Sequence, residues 1–233
     1  MSSADVLKEG LGRYRELLDA GFDPYILGSA WLKLKLPIYD ILMHDVDVYC
    51  PDLDPDRSPF PVQKREDMDM FATEDGRLEI IRSFPEAPGT RIGEQDLVRD
   101  GYPKMVSNSF WLASVLNKVA NHLAKRYTEL DLFRRYMAIM PLVNCYIFWK
   151  SGLEFDPKRV AWVLEPKSFT NTRILHIYNE EMATIAACIA ERYYRLESIP
   201  DEIIMGFCRD IIAPIAKEMK VYDFDFKRGS NEK

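Results

Sequence analysis

Residues Tyr25 to Cys50 read YILGSAWLKLKLPIYDILMHDVDVYC. The apolar triplet Tyr25-Ile26-Leu27 runs into Gly28-Ser29, the segment Ala30-Trp31-Leu32-Lys33-Leu34-Lys35 follows, and Pro37 ends it. That order predicts a short strand, a tight turn and a short helix. A second strand is predicted over Asp45 to Tyr49, where acids alternate with valines. Side chains two apart in a strand share a face, so Asp45 and Asp47 point one way while Val46 and Val48 point the other. Two carboxylates roughly 7 Å apart along a strand repel each other unless water or a cation lies between them. Mg2+ takes such oxygen ligands and keeps water and phosphate oxygens in its other positions. The first N–H groups of the helix opened by Gly28-Ser29 are free, and glycine lets a phosphate approach the main chain. An anion at the turn and a cation at the acids describe a nucleoside triphosphate with its metal.

Upstream, Val6, Leu7, Leu11, Tyr14, Leu17 and Leu18 recur at helical spacing and Gly21 closes the run, which predicts an amphipathic helix over residues 4–20. Downstream, Pro51 to Pro61 reads as a long polar loop. Met68 to Thr73 and Arg77 to Phe84 flank Glu74-Asp75-Gly76, a hairpin signal with Asp-Gly in the turn. That hairpin supplies Glu79, between Leu78 and Ile80, as a buried strand acid. A third carboxylate completes a two-metal clamp on a phosphoryl group, one ion activating the incoming oxygen and the other steadying pyrophosphate. Asp69 is the rival for this place; Glu79 is preferred for its apolar flanks.

Pro85 to Pro103 reads as loop. From Ser107 onward the periodicity is helical, over 110–126, 129–149, 156–165, 171–196 and 201–220, with prolines at 157, 166, 200 and 214 between them and Pro141 predicting a kink. The expected fold class is therefore α+β: a small mixed-sheet domain over residues 1–103 followed by an all-α helical domain over 104–233.

The chain has 233 residues, enough for a sizeable core. Its formal charge of −6 is uneven. Residues 1–103 hold 12 Lys+Arg against 21 Asp+Glu, and the remainder 19 against 16, so an acidic front half precedes a basic back half. The longest apolar run, Met137 to Trp149, is interrupted by Pro141 and Asn144 and is short for a bilayer; with a charged, amphipathic start, this predicts a cytoplasmic protein without membrane contact. Cys50, Cys145, Cys188 and Cys208 are far apart in apolar surroundings, which predicts buried thiols.

ILGSAWL, HDVDVY and GRLEII resemble the Gly-Ser, Asp-x-Asp and third-carboxylate elements of the DNA polymerase beta-like nucleotidyltransferase superfamily, in its small bacterial form with a catalytic domain followed by helices. The likeness covers roughly residues 22–84. It implies Gly28 and Ser29 on the triphosphate, Asp45 and Asp47 as ligands of two Mg2+ ions, and Glu79 as a further metal ligand or the base that deprotonates an acceptor hydroxyl. In VLNKVANHLAKRY, Lys118 and Arg126 resemble basic residues that such proteins place after the catalytic domain, which adds them to the nucleotide site. The implied activity is NMP transfer from an NTP to a small molecule, a protein or an RNA end, with release of pyrophosphate.

A catalytically inactive binding or interaction module on the same fold is the competing expectation. A plain helical interaction protein with an accidental acid pattern is the third. His44 follows the opposite strand face from Asp45, and His122 and His176 are lone helical histidines, so none is taken as a ligand. Lys33 and Lys35 read as solvent-facing charge. The basic pairs Lys125-Arg126 and Arg134-Arg135 are too few in an acidic protein to make nucleic-acid binding the leading reading.

Overall fold

The computed structural model describes residues 2–39, 41, 43–65, 69–84, 91–124, 141, 143–164, 210–211 and 213–218. The first helix, α1 (Ser3–Asp19), starts at a reciprocal cap: the Ser2 hydroxyl accepts from the Asp5 amide at 3.3 Å and the Asp5 carboxylate accepts from the Ser2 amide at 3.0 Å. Val6, Gly10, Tyr14 and Leu17 form its buried face, at the spacing a helix requires. Then come β1 (Tyr25–Leu27), α2 (Gly28–Lys35) and β2 (Val46–Tyr49). Strands β3 (Val62–Lys64), β4 (Met70–Thr73), β5 (Leu78–Ile81), β6 (Leu97–Val98) and β7 (Met105–Val106) precede helix α3 (Asn108–Ala124).

The result is a mixed α+β fold on one seven-stranded sheet in the order β3-β4-β5-β2-β1-β7-β6. Strand β2 lies at the centre, antiparallel to β1 and parallel to β5. The β4–β5 pair is the hairpin expected from Asp75-Gly76, with Met70 opposite Ile81 and Ala72 opposite Glu79. Described elements after β7 are helical: α3, residues 143–150, Pro157–Leu164 and Ala213–Glu218. Expected helix 171–196 lies outside the described residues, as does most of 129–149 and 201–220.

Three expectations change. Asp45 stands in a bend just before β2 rather than in the strand. The segment 85–103 is more than loop, since it carries a 3-10 turn at Glu94–Asp96 and β6. The sheet also runs past residue 103, because β7 pairs in parallel with β1 through Ile26 and Met105. Two-residue strands have no periodicity to read, which is why they escape a pattern search.

One apolar core joins the sheet to the helices. Trp31 of α2 stacks on Trp111 of α3 with centroids 4.7 Å apart, and Phe148 stacks on Trp111 at 5.4 Å. Both indoles are fully buried and both N–H groups are satisfied: Trp31 donates to the Val106 carbonyl at 2.8 Å and Trp111 to the Gly28 carbonyl at 2.7 Å. A second tie is ionic. Asp96 is completely buried and accepts from Arg159 Nε at 2.9 Å and the Gly93 amide at 2.9 Å, while Arg159 lies 3.7 Å over the Trp162 ring. A buried carboxylate is tolerated when its lone pairs are filled this way.

Helix α1 covers the face of β2 opposite the acids. A Cβ on Gly10 would lie 2.3 Å from Val46 Cγ2 and 3.3 Å from the Arg77 carbonyl oxygen, so α1 sits against the strand at a distance only glycine permits. Gly10→Ala is expected to push α1 off β2 and lower stability by about 1–3 kcal/mol, the usual cost of overpacking. Urea unfolding measures it. An unchanged midpoint would mean that the helix and strand are not in this contact.

Candidate metal centre

The parallel register of β2 and β5 sets Asp47 beside Glu79. Laterally paired residues of neighbouring strands project to the same face, so these carboxylates meet on the side of the sheet away from α1. Asp45 reaches them from the bend. One carboxylate oxygen of each of Asp45, Asp47 and Glu79 lies within 4.8 Å of the other two, and all three residues are part-buried. Oxygens bound to one Mg2+ stand about 3–4 Å apart, so small side-chain rotations close the set on a cation. All the donors are hard oxygens, without thiolate or imidazole, and they fit a hard divalent ion.

The glycine turn abuts this cluster. Gly28 directly follows β1 with φ +62°, and a Cβ built on it would stand 1.9 Å from Asp47 Oδ2. Both its backbone angle and its neighbour therefore require glycine. Helix α2 starts at Gly28 from an N-cap, Leu27, that offers no side-chain acceptor. The amides of its first turn are left for water or a ligand. The Trp111 hydrogen bond to the Gly28 carbonyl fixes the turn from α3.

The electrostatics follow from crowding. Burial and the neighbouring Asp45 charge push the Asp47 carboxyl up to about 6. Burial and the Glu79 charge raise Asp45, and burial and the Asp47 charge raise Glu79. The charge of Lys118, an exposed residue, opposes the rise at all three acids and so is in electrostatic reach of the cluster. A divalent cation among the carboxylates would reverse the sense of these shifts.

Of the expected site residues, the structure gathers Asp45, Asp47 and Glu79 and sets Asp47 against Gly28, with Ser29 next in the turn and Lys118 in electrostatic reach. Arg126 lies outside the described residues. Asp69 is engaged elsewhere: Arg82 donates to it from Nε at 3.0 and 3.1 Å and Ser83 at 2.9 Å, which holds its carboxyl below the usual range. Lys33 is also committed, donating to the Pro37 and Tyr39 carbonyls at 3.2 and 2.5 Å. Two residues join the site that the sequence reading passed over. Trp111 donates to the Gly28 carbonyl, and Arg65 forms an ion pair with Glu79 at 3.5 Å.

Comparison of this chain with family models, curated proteins and solved structures finds no match. The site's own geometry therefore carries the functional argument. Among the described residues no helix is long and apolar enough to cross a membrane, and Cys50 and Cys145 are buried free thiols.

Proposed function

We propose that the protein is a metal-dependent nucleotidyltransferase of the polymerase beta-like type, with a sheet-based catalytic part and a helical part. It moves an NMP from an NTP to an acceptor hydroxyl on a small molecule, a protein or an RNA end. The observation that carries the reading is a cluster of three carboxylates of which one, Asp47, lies against the glycine turn that opens α2. Each element alone is common. Together they place hard cation ligands beside free helix-terminal amides, and a metal-bound triphosphate needs both.

In this reading Asp45, Asp47 and Glu79 hold two Mg2+ ions. When bound, the ions neutralise charge on the triphosphate and favour the alkoxide form of the acceptor. The Gly28 and Ser29 amides cradle phosphate oxygens, and Lys118 offsets their charge. The acceptor oxygen forms a bond to Pα, the Pα–O bond to the β-phosphate breaks, and pyrophosphate leaves with the electron pair. In the same reading Glu79, a metal ligand or the base, takes the acceptor proton. Positioning and charge neutralisation supply the acceleration.

Thermal unfolding with each NTP, with and without Mg2+, tests the reading, because a ligand that binds the native state raises its stability. Stabilisation that requires both is expected, followed by transfer of labelled NMP to an acceptor. Stabilisation by nucleotide regardless of metal favours an inactive nucleotide-binding module. No stabilisation by any pair sinks the proposal.

A further inference from the structure

Glu79 differs from its two neighbours in one respect. Arg65 Nη2 stands 3.5 Å from Glu79 Oε1, whereas among the described residues neither Asp45 nor Asp47 has an ion-pair partner. The arginine follows β3, and its amide donates to the Met70 carbonyl at 2.9 Å, so its Cα is fixed by the β3–β4 ladder. Its side chain is 54% exposed and that of Glu79 only 23%. The pair is longer than a strong charge-assisted contact, and the guanidinium can swing into solvent at small cost.

We propose that Arg65 competes with a divalent cation for Glu79, and so sets how readily the third carboxylate is delivered to the metal. The inference rests on the metal reading above. A guanidinium and a cation cannot share one carboxylate without mutual repulsion, so metal entry displaces Arg65 toward the open edge of the site. A planar guanidinium freed there suits a phosphate group. An anion that draws Arg65 off Glu79 then tightens metal binding, and the linkage runs equally in the other direction. Arg65 acts through Glu79 and is a positioning residue.

Titration of the full chain with Mn2+ by calorimetry, at fixed ionic strength, tests this with Arg65→Ala, Arg65→Lys, Glu79→Gln and the Arg65→Ala/Glu79→Gln double variant. Arg65→Ala is expected to bind Mn2+ about 3- to 5-fold more tightly, the scale of an exposed ion pair. Arg65→Lys keeps the charge and stays near wild type. In the Glu79→Gln background, loss of Arg65 changes nothing further. Unchanged or weaker Mn2+ binding in Arg65→Ala overturns the inference, as does a tightening of equal size in the Glu79→Gln background, which would be a general charge effect. Absence of Mn2+ binding in wild type and Arg65→Ala alike overturns the metal reading and this inference with it. The expected pattern in a chain that transfers no nucleotide sustains the inference and removes only the transfer reaction.

Discussion

Asp47→Asn is expected to abolish Mg2+-dependent transfer, by about 10³-fold or more, while making the metal-free protein more stable at neutral pH. The amide keeps the shape of the carboxylate against Gly28 but gives up the charge that holds the metal. Stability moves the other way because the native Asp47 carboxyl is pushed up to about 6, burial being the larger cause and the Asp45 charge the second. A carboxyl raised in the fold above its unfolded value of about 4 costs no stability while protonated, and its ionisation lowers stability as pH rises from about 4 through about 6. Above pH 6 the metal-free wild type therefore carries a penalty of roughly 1–3 kcal/mol that Asp47→Asn lacks. Other acids, such as Asp75, held low at about 2 chiefly by the Thr73 hydroxyl, act oppositely but equally in both proteins. The difference between the two unfolding curves across pH 4–8 reports Asp47 together with its repulsion of Asp45 and Glu79, whose carboxyls ionise more easily once the Asp47 charge is gone. Added Mg2+ should raise wild type and leave Asp47→Asn where it was. Transfer that survives the substitution within a fewfold would make the acid cluster a solvated sheet face. Unfolding of the variant would make Asp47 a structural residue.

How much of this was legible in the sequence depends on the length scale of the signal. Alternation over Asp45 to Tyr49 gives the face of Asp47, and the glycine-serine turn gives the start of α2, because both are local. The Asp75-Gly76 turn fixes the β4–β5 hairpin and so the phase of Glu79 within it. What no local pattern contains is the parallel pairing of β2 with β5, which decides that Asp47 and Glu79 are neighbours rather than merely acids on two strands. Arg65 escaped for the same reason. It lies in the charged run Lys64 to Asp67, indistinguishable from solvated loop until the β3–β4 ladder brings it back toward Glu79. Trp111 reads as one more apolar residue on a helix, and nothing local says that its N–H will hold the Gly28 carbonyl 83 positions away. Asp96 is one of three acids, with Glu94 and Asp100, in a glycine-flanked segment, and its complete burial follows from Arg159, which approaches from another part of the chain.

Gly28→Ala is expected to cost about 2–5 kcal/mol and to remove Mn2+ binding, and the two halves of that cost are separable. One half is conformational. Gly28 has φ +62°, a left-handed geometry that disfavours a side chain by about 1–2 kcal/mol. The other half is steric and has one address, since the new methyl would stand 1.9 Å from Asp47 Oδ2 and 2.8 Å from its Cγ. The carboxylate must turn away, which costs about 1–3 kcal/mol in a packed site and withdraws it from Asp45 and Glu79. Asp47→Ala removes the obstacle, so the Gly28→Ala/Asp47→Ala double variant should recover the steric half and retain the conformational half. A double-mutant cycle from urea unfolding then gives a coupling of about 1–3 kcal/mol, the double variant costing that much less than the sum of the two single changes because the clash is relieved. Mn2+ binding stays lost in every member of the cycle except wild type. If Gly28→Ala unfolds at the wild-type midpoint and still binds Mn2+, the turn does not lie on Asp47. The convergence from which nucleotidyl transfer is inferred then disappears. If the stability falls without any coupling to Asp47, the turn is strained but apart from the acids, and Ser29 and the α2 amides have no metal-bound triphosphate to receive.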